Sequence, residues 1–333
     1  MALPTRPLGS TGMDVTRVGF GAWAAGGGGW AFAWGDQDDD DSVRAIRRAV
    51  ESGVNWVDTA AVYGLGHSEE VVARALKGLP ERDRPFVFTK CGLRWDNDHP
   101  NEPARREAAP SSLRQELESS LRRLDVERID LYQVHWPAED GTPIEDYWGE
   151  LVKMREEGKI RAAGLSNHGV EQLARAEAVG HVDSFQPPFS AIKRSSAREV
   201  AWCAANGTGV IAYSPMQAGL LTGSFTEERA AALGPGDWRS RNPEFRQPQL
   251  GRNLALAGAL RPVARRLGTT VPAVAIAWVL AWPGVTGAIV GGRSADQVDG
   301  WLPAAALDLS GADLDEIAEA IRVTGAGDGP ERP

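Results

Sequence analysis

Cysteine is nearly absent. Cys91 and Cys203 are the only two in 333 residues, which leaves no disulfide framework and no cysteine-based metal spacing, so a reducing cytoplasm is the expected setting. Long apolar runs are missing as well. Nothing approaches the roughly 18 consecutive residues that span a bilayer, and Met1–Gly12 lacks the apolar stretch of a secretory signal. No membrane partner is therefore expected. Positive charge is in deficit, with 36 Lys and Arg against 45 Asp and Glu for a net charge of -9, which argues against nucleic acid as a partner. Lysine is scarcer still: only five of the 36 basic residues, so the place of each carries information.

What is present is ordinary for an enzyme: 42% hydrophobic and 24% charged residues. Short β-branched runs alternate with amphipathic helical patterns along the chain. After a hairpin (Arg6–Leu8 and Val15–Arg17), strands are expected at Val18–Gly21, Asn55–Val57, Phe86–Lys90, Ile129–His135, Arg161–Leu165, Val182–Gln186, Val210–Tyr213 and Gly287–Val290. Helices fall between them, as in Val43-x-x-Ile46-x-x-x-Val50, whose spacing lines one helix face. Eight strand–helix units with short connections predict parallel strands closed into an α/β (β/α)8 TIM barrel rather than an open sheet. Pro215–Leu250 is a long connection after the seventh strand, and extra helices are expected at Arg252–Leu267 and Ala312–Ile321. No linker divides the chain, so residues 1–323 are expected to be one domain and 324–333, rich in Gly and Pro, a disordered tail.

In such barrels chemistry sits where strands end and the following loops begin. Asp58 follows the second strand, Tyr63 lies in the loop after it, Lys90 ends the third and His135 the fourth. All four thus land on one rim, on adjacent strands. A phenol has a pKa near ~10 and is a poor acid at neutral pH. A neighbouring ammonium favours the phenolate and is expected to lower that value. Lys90 would supply the charge, Asp58 would hold Lys90, His135 would orient a substrate oxygen, and Tyr63 would act as general acid.

The residues that carry this pattern also carry a resemblance. Asn55-Trp56-Val57-Asp58-Thr59-Ala60-x-x-Tyr63-Gly64, Gly158-Lys159-Ile160-Arg161-x-x-Gly164-Leu165-Ser166-Asn167 and Tyr213-Ser214-Pro215 resemble the aldo-keto reductases, from Val18 through Gln297. The Gly28-Gly29-Trp30 and Ser68-Glu69-Glu70 segments look most like the bacterial branch. The resemblance implies a reductase of small aldehydes or ketones that uses NADPH in preference to NADH, with Asp58, Tyr63, Lys90 and His135 as its tetrad. It implies that Ser166, Asn167 and Gln186 hold the nicotinamide carboxamide and that Tyr213 stacks on the ring. Asp58 and the first rim loop, Gly21, Ala22 and Trp23, would also border the cofactor. Ser214, Pro215, Met216, Gly219 and Leu220 would follow the pyrophosphate, and Gly291, Gly292, Arg293 and Gln297 the adenosine 2′-phosphate. Gly300 and Trp301 stand where many members place Glu and Asn against the adenine, and Trp301 would stack there instead. The competing reading is a regulatory subunit. Potassium-channel beta subunits resemble the same family, bind NADPH with little catalysis, and typically carry Asn where this chain has His135.

Other motifs are decoys. Gly19-Phe20-Gly21-Ala22-Trp23-Ala24 fits the dinucleotide fingerprint G-x-G-x-x-A, but a glycine run follows where that fingerprint needs a helix. Asp36–Asp41 lacks the glycine of a calcium loop and has Arg47 in the twelfth position, so helix capping is the better reading. His67, His99, His168 and His181 show no metal spacing and are expected on the surface or in loops. None of the four tyrosines has a lysine four residues later, which excludes the Tyr-x-x-x-Lys pair of short-chain dehydrogenases. Trp23, Trp30, Trp34, Trp95 and Trp136 fall in the first, third and fourth rim loops and are expected to wall an apolar substrate pocket.

Overall fold

The short β-branched runs pair in parallel, each with the next in sequence. The computed structural model describes residues 2–333. A hairpin of β1 (Thr5–Pro7) and β2 (Asp14–Thr16) leads into β3 (Val18–Gly21), β4 (Trp56–Asp58) and β5 (Phe86–Cys91). A second hairpin, β6 (Leu93–Arg94) and β7 (Arg105–Arg106), stands on the rim. Then come β8 (Ile129–Val134), β9 (Ile160–Ser166), β10 (Ser184–Gln186), β11 (Gly209–Ala212) and β12 (Val285–Gly291). Strands β3, β4, β5 and β8 to β12 close into an eight-stranded parallel barrel, the last pairing with the first. The helices are α1 (Asp39–Glu51), α2 (His67–Leu76), α3 (Pro110–Leu124), α4 (Ile144–Glu156), α5 (Val170–Val179) and α6 (Ala197–Asn206). The long connection after β11 holds α7 (Glu227–Ala231) and α8 (Gln249–Arg266), and α9 (Val271–Leu280) precedes β12. Helices α10 (Ala295–Trp301) and α11 (Gly311–Thr324) complete the chain.

Local chemistry explains where the elements begin. Helix α1 starts at Asp39, where the Asp38 carboxylate accepts from Asp41 N and caps the helix. Asp39, Asp40 and Asp41 then complement the positive end of the helix, so the acidic run is a cap. The Gly19–Ala24 segment leads into a 3₁₀ turn at Trp23–Gly26, not a helix that could receive a pyrophosphate.

Two layers of packing set the polarity of the barrel. Its lumen holds Trp56, Phe88, Leu131, Ala162, Ile211 and Ile289, and Leu8, Met13 and Val15 of the first hairpin join them from below. Trp56 is fully buried and its Nε1 donates to Thr16 O at 2.8 Å. A side chain on Gly19 would place its Cβ 2.2 Å from the Trp56 ring, so glycine is required there by close approach. Truncating Trp56 to alanine should cost about 3–5 kcal/mol. With the N-terminal mouth plugged, the C-terminal mouth is the one left for chemistry.

The terminal segment differs from the expectation of disorder. Arg194, buried, donates to Ala191 O, to Ala326 O at 3.1 Å and to Gly329 O at 3.3 Å. Lys193 bridges Asp328 through the backbone, and Arg332 pairs with Asp315 at 2.6 Å. The glycines that suggested flexibility instead fit close turns: Gly327, at φ +63°, lies so near Ile192 that a Cβ would sit 1.7 Å from Ile192 O.

Candidate active site

The tetrad converges at the C-terminal rim. Asp58 closes β4, Lys90 lies in β5, and His135 follows β8. Lys90 Nζ donates to Asp58 Oδ1 at 2.6 Å and to Thr59 O at 2.8 Å, and lies 3.4 Å from the Tyr63 hydroxyl. Asp58 Oδ2 accepts from Gln186 Nε2 at 2.9 Å, and Gln186 Nε2 also reaches Gln133 Oε1 at 3.2 Å. Tyr63 is fixed by its loop: Gly64 and Leu65 take left-handed conformations (φ 60° and 58°), and a Cβ on Gly64 would meet Gly26 O at 2.2 Å. That contact clamps the Tyr63 loop onto the first rim loop. The Tyr63 ring stacks on Trp23 at 5.9 Å and meets His135 edge-on at 5.8 Å.

The second turn of support lies behind these groups. On α2, Ser68 Oγ donates to Ala22 O at 2.7 Å and pairs with Thr59 Oγ1 at 2.8 Å. Its neighbour Glu69, fully buried, accepts from Thr89 Oγ1 and from Arg123 Nε, both at 2.6 Å. These bonds bolt the start of α2, and with it the Tyr63 loop, to β3, β4 and β5.

The electrostatics correct one expectation. Burial pushes the Tyr63 phenol well above 10, and the Asp58 charge adds to that rise. The lowering expected from Lys90 is lost because Asp58 neutralises the ammonium at 2.6 Å, leaving little net field at the phenol. Burial also raises Asp58 and lowers Lys90, each opposed by the ion pair with the other. His135 is held well below 6.5 by burial and by the Lys90 and Arg106 charges. At neutral pH the rim therefore presents a protonated phenol and a neutral imidazole.

A groove of about 1370 Å³ opens over these residues. Of the residues expected to border a cofactor, Gly21, Trp23, Asp58, Asn167, Gln186, Tyr213, Ser214, Pro215, Met216, Gly219, Gly291, Gly292, Arg293 and Gln297 line it. Ser166 is buried and donates to Gln186 O at 2.8 Å. Asn167 donates to His135 O at 2.9 Å, and its Oδ1 accepts from the Tyr213 hydroxyl at 2.8 Å. Tyr213 is thus held as a fixed platform. Three expected wall residues do not line the groove: Ser166, Ala22 and Leu220. Ala22 is buried, its N–H given to Asp58 O at 2.8 Å, and Leu220 packs fully into the apolar core.

The aromatic expectation holds in part. Trp23, Trp30, Trp34 and Trp136 line the groove, but Trp95 does not; its Nε1 bonds its own loop at Asn97 Oδ1, 3.0 Å away. Trp238, which sequence reasoning missed, stacks on Trp23 at 5.5 Å and meets Trp34 at 5.9 Å. It comes from the Gly/Pro-rich connection after β11, and a tryptophan in so polar a loop was the available signal. Trp301 lies at the groove but is only 2% exposed, so it offers no open ring face for stacking. His168, expected on the surface or in a loop, lies in the loop after β9 and is buried. Its Nδ1 bonds Ser166 O at 2.8 Å, its Nε2 the Tyr147 hydroxyl at 2.9 Å. Burial holds it down at about 4. No cluster that could hold a metal ion occurs among the described residues.

Barrel, rim polarity and converging polar groups together define a (β/α)8 barrel enzyme with its active groove at the C-terminal mouth. The Aldo/keto reductase family model matches residues 17–322. The chain is 35% identical over 294 residues to "Aldo-keto reductase YhdN" of Bacillus subtilis, covering 88% of this chain and 86% of that one. It is 34% identical over 328 residues to the "NADH-specific methylglyoxal reductase" of Escherichia coli, covering 95% and 98%. Among solved structures, the glycerol dehydrogenase AKR11B4 from Gluconobacter oxydans superimposes with a TM-score of 0.88 at 36% identity, over 99% of this chain and 98% of that one. The chain belongs to the aldo/keto reductase family, whose members are oxidoreductases that use a nicotinamide cofactor.

Proposed function

We propose that the protein reduces the carbonyl of a small aldehyde or ketone, reversibly, with Tyr63 as general acid. The single observation that carries this is the Tyr63 hydroxyl, on the groove wall with His135, held 3.4 Å from the buried Lys90 ammonium behind it. The raised phenol pKa supports the role rather than opposing it, because the group stays protonated until a strong base forms in front of it. As the carbonyl carbon takes up hydride, its oxygen becomes that base and takes the Tyr63 proton. Lys90 then faces the phenolate until solvent reprotonates it. His135, neutral, donates a hydrogen bond to the same oxygen and fixes its angle.

The groove suits a dinucleotide. Tyr213 offers an anchored ring, Gln186 Oε1 has no partner among the described residues, and Ser214, Gln217 and Ala218 hold positive φ (55°, 45° and 52°) along the expected pyrophosphate path. Such backbone conformations concentrate at ligand sites. A reduced nicotinamide bound there would supply the hydride. We assign preference to NADPH, on Arg293 just before α10. Its guanidinium bonds Gln37 Oε1 at 2.6 Å, Trp34 O at 3.4 Å and Asp36 O, neutral acceptors that a phosphate dianion would outcompete. The methylglyoxal reductase named as NADH-specific shows that a relative can take the opposite preference.

The test is oxidation of NADPH and of NADH with a panel of aldehydes, ketones and sugars, run beside a binding titration. Turnover of some carbonyl is expected, faster with NADPH. Tight binding without turnover of any carbonyl would instead favour the regulatory-subunit reading.

A further inference from the structure

The rim hairpin β6–β7 puts a second functional group beside the reacting centre. Arg106 ends β7 and lines the groove, its guanidinium stacked 4.4 Å over the ring of Trp136, the residue after His135. Its placement is built. Glu139 N donates to Arg106 O at 2.9 Å, and Ala108 N donates to Asp140 Oδ2 at 3.0 Å, so the hairpin is stitched to the segment after β8. The Arg106 side chain is 36% exposed. Only Nη1 is engaged, by Glu139 Oε1; Nε and Nη2 have no acceptor among the described residues. Glu139 Oε2 is likewise without a donor among them. Arg106 charge is felt at His135, where it helps hold the imidazole neutral.

From this geometry we propose that Arg106, with Glu139, is the specificity-determining pair of the site, binding an oxygen on the carbon next to the carbonyl. The inference rests on the reductase reading above. Substrates would then be short carbonyls that carry an adjacent hydroxyl or second carbonyl. The guanidinium donates to that oxygen, and Glu139 accepts from it when it is a hydroxyl. Trp23, Trp30, Phe32 and Trp136, which also line the groove, are aromatic and carry no charge. A charge-assisted bond in a walled groove discriminates strongly against an analogue that leaves the fork unpaired.

The experiment compares kcat/KM for glyceraldehyde and for propanal, which lacks the adjacent oxygen, in wild type, Arg106→Met and Arg106→Lys. Wild type should prefer glyceraldehyde. Arg106→Met should lower the glyceraldehyde-to-propanal ratio by about 10–100-fold, mostly through KM, and Arg106→Lys should fall between. KM for the nicotinamide cofactor, which a misfolded site would raise, serves as the fold control. A ratio unchanged in Arg106→Met, or no wild-type preference, overturns the assignment while propanal turnover still supports the reductase. Absence of turnover with either aldehyde in wild type would instead fall on the reductase reading.

Discussion

Removing one partner of the Asp58–Lys90 pair should hurt far more than removing both. The pair is buried, with Lys90 1% and Asp58 2% exposed, and its 2.6 Å contact is backed by Thr59 O on one side and Gln186 Nε2 on the other. Breaking such a pair leaves an uncompensated buried charge and costs about 3–5 kcal/mol. Lys90→Met should lie at the upper end, because the stranded Asp58 carboxylate keeps one donor, Gln186, and gains only desolvation. Asp58→Asn should lie nearer ~3 kcal/mol, because the ammonium retains Thr59 O and can lose its proton. The double variant Asp58→Asn/Lys90→Met leaves no charge to strand, so it should be no worse than the milder single change. The coupling energy would then be at least as large as the harsher single loss, about 5 kcal/mol. Urea unfolding at pH 7, with two-state behaviour checked by two probes, measures it. Additive losses in the double variant would refute the picture of a mutually dependent buried pair.

Arg293→Ala should raise the Kd of NADPH by about 10–100-fold while changing that of NADH by far less, read by quenching of protein fluorescence. Equal losses would mean that Arg293 orders its loop and recognises no phosphate. His168 sits near 4 in the folded protein and near ~6.5 unfolded, so the unfolded chain takes up the proton first on acidification. Its contribution is therefore intact above pH ~6.5 and is lost by pH ~4, about 3 kcal/mol in all. Glu116 runs the other way. Burial raises it to about 7, so its contribution is present below the unfolded value and disappears as pH rises through about 7. Glu116→Gln should then steepen the loss of Tm between pH 7 and pH 4, and an unchanged slope would contradict that assignment. Trp238→Ala, which removes the ring stacked on Trp23, should raise the KM of small aldehydes more than it lowers kcat, measured by steady-state kinetics with a saturating cofactor.

Much of the architecture was legible because a barrel writes itself into the chain twice, as a strand–helix period and as polar residues where strands stop. Asp58, Lys90 and His135 could be placed on one rim from that rule alone, and Tyr63 followed from its short loop. Groups that reach the groove across space carried no such mark. Trp238 arrives from a long connection whose path no local pattern fixes, and Arg106 from a two-residue rim strand too short to show alternation. Trp95 was misplaced for the converse reason: loop position says nothing about which way an indole turns. The direction of the Tyr63 shift was missed because Asp58 was expected to hold Lys90 in place without cancelling its field at the phenol. The Lys90 charge is already spent on Asp58, and burial decides the remainder. Composition misled at the C-terminus, where the same glycines that free a chain also let Gly327 and Gly329 pack against Ile192 and Arg194.

The proton donor itself is tested most directly by Tyr63→Phe. The hydroxyl makes a single bond, 3.4 Å from Lys90 Nζ, while the ring keeps its stacking on Trp23 and its edge contact with His135. Cofactor Kd, followed by nicotinamide fluorescence, should stay within about 3-fold, and single-turnover reduction of a good aldehyde should slow by about 100- to 10,000-fold. Single-turnover rates within a factor of about three of wild type would show that the proton comes from elsewhere.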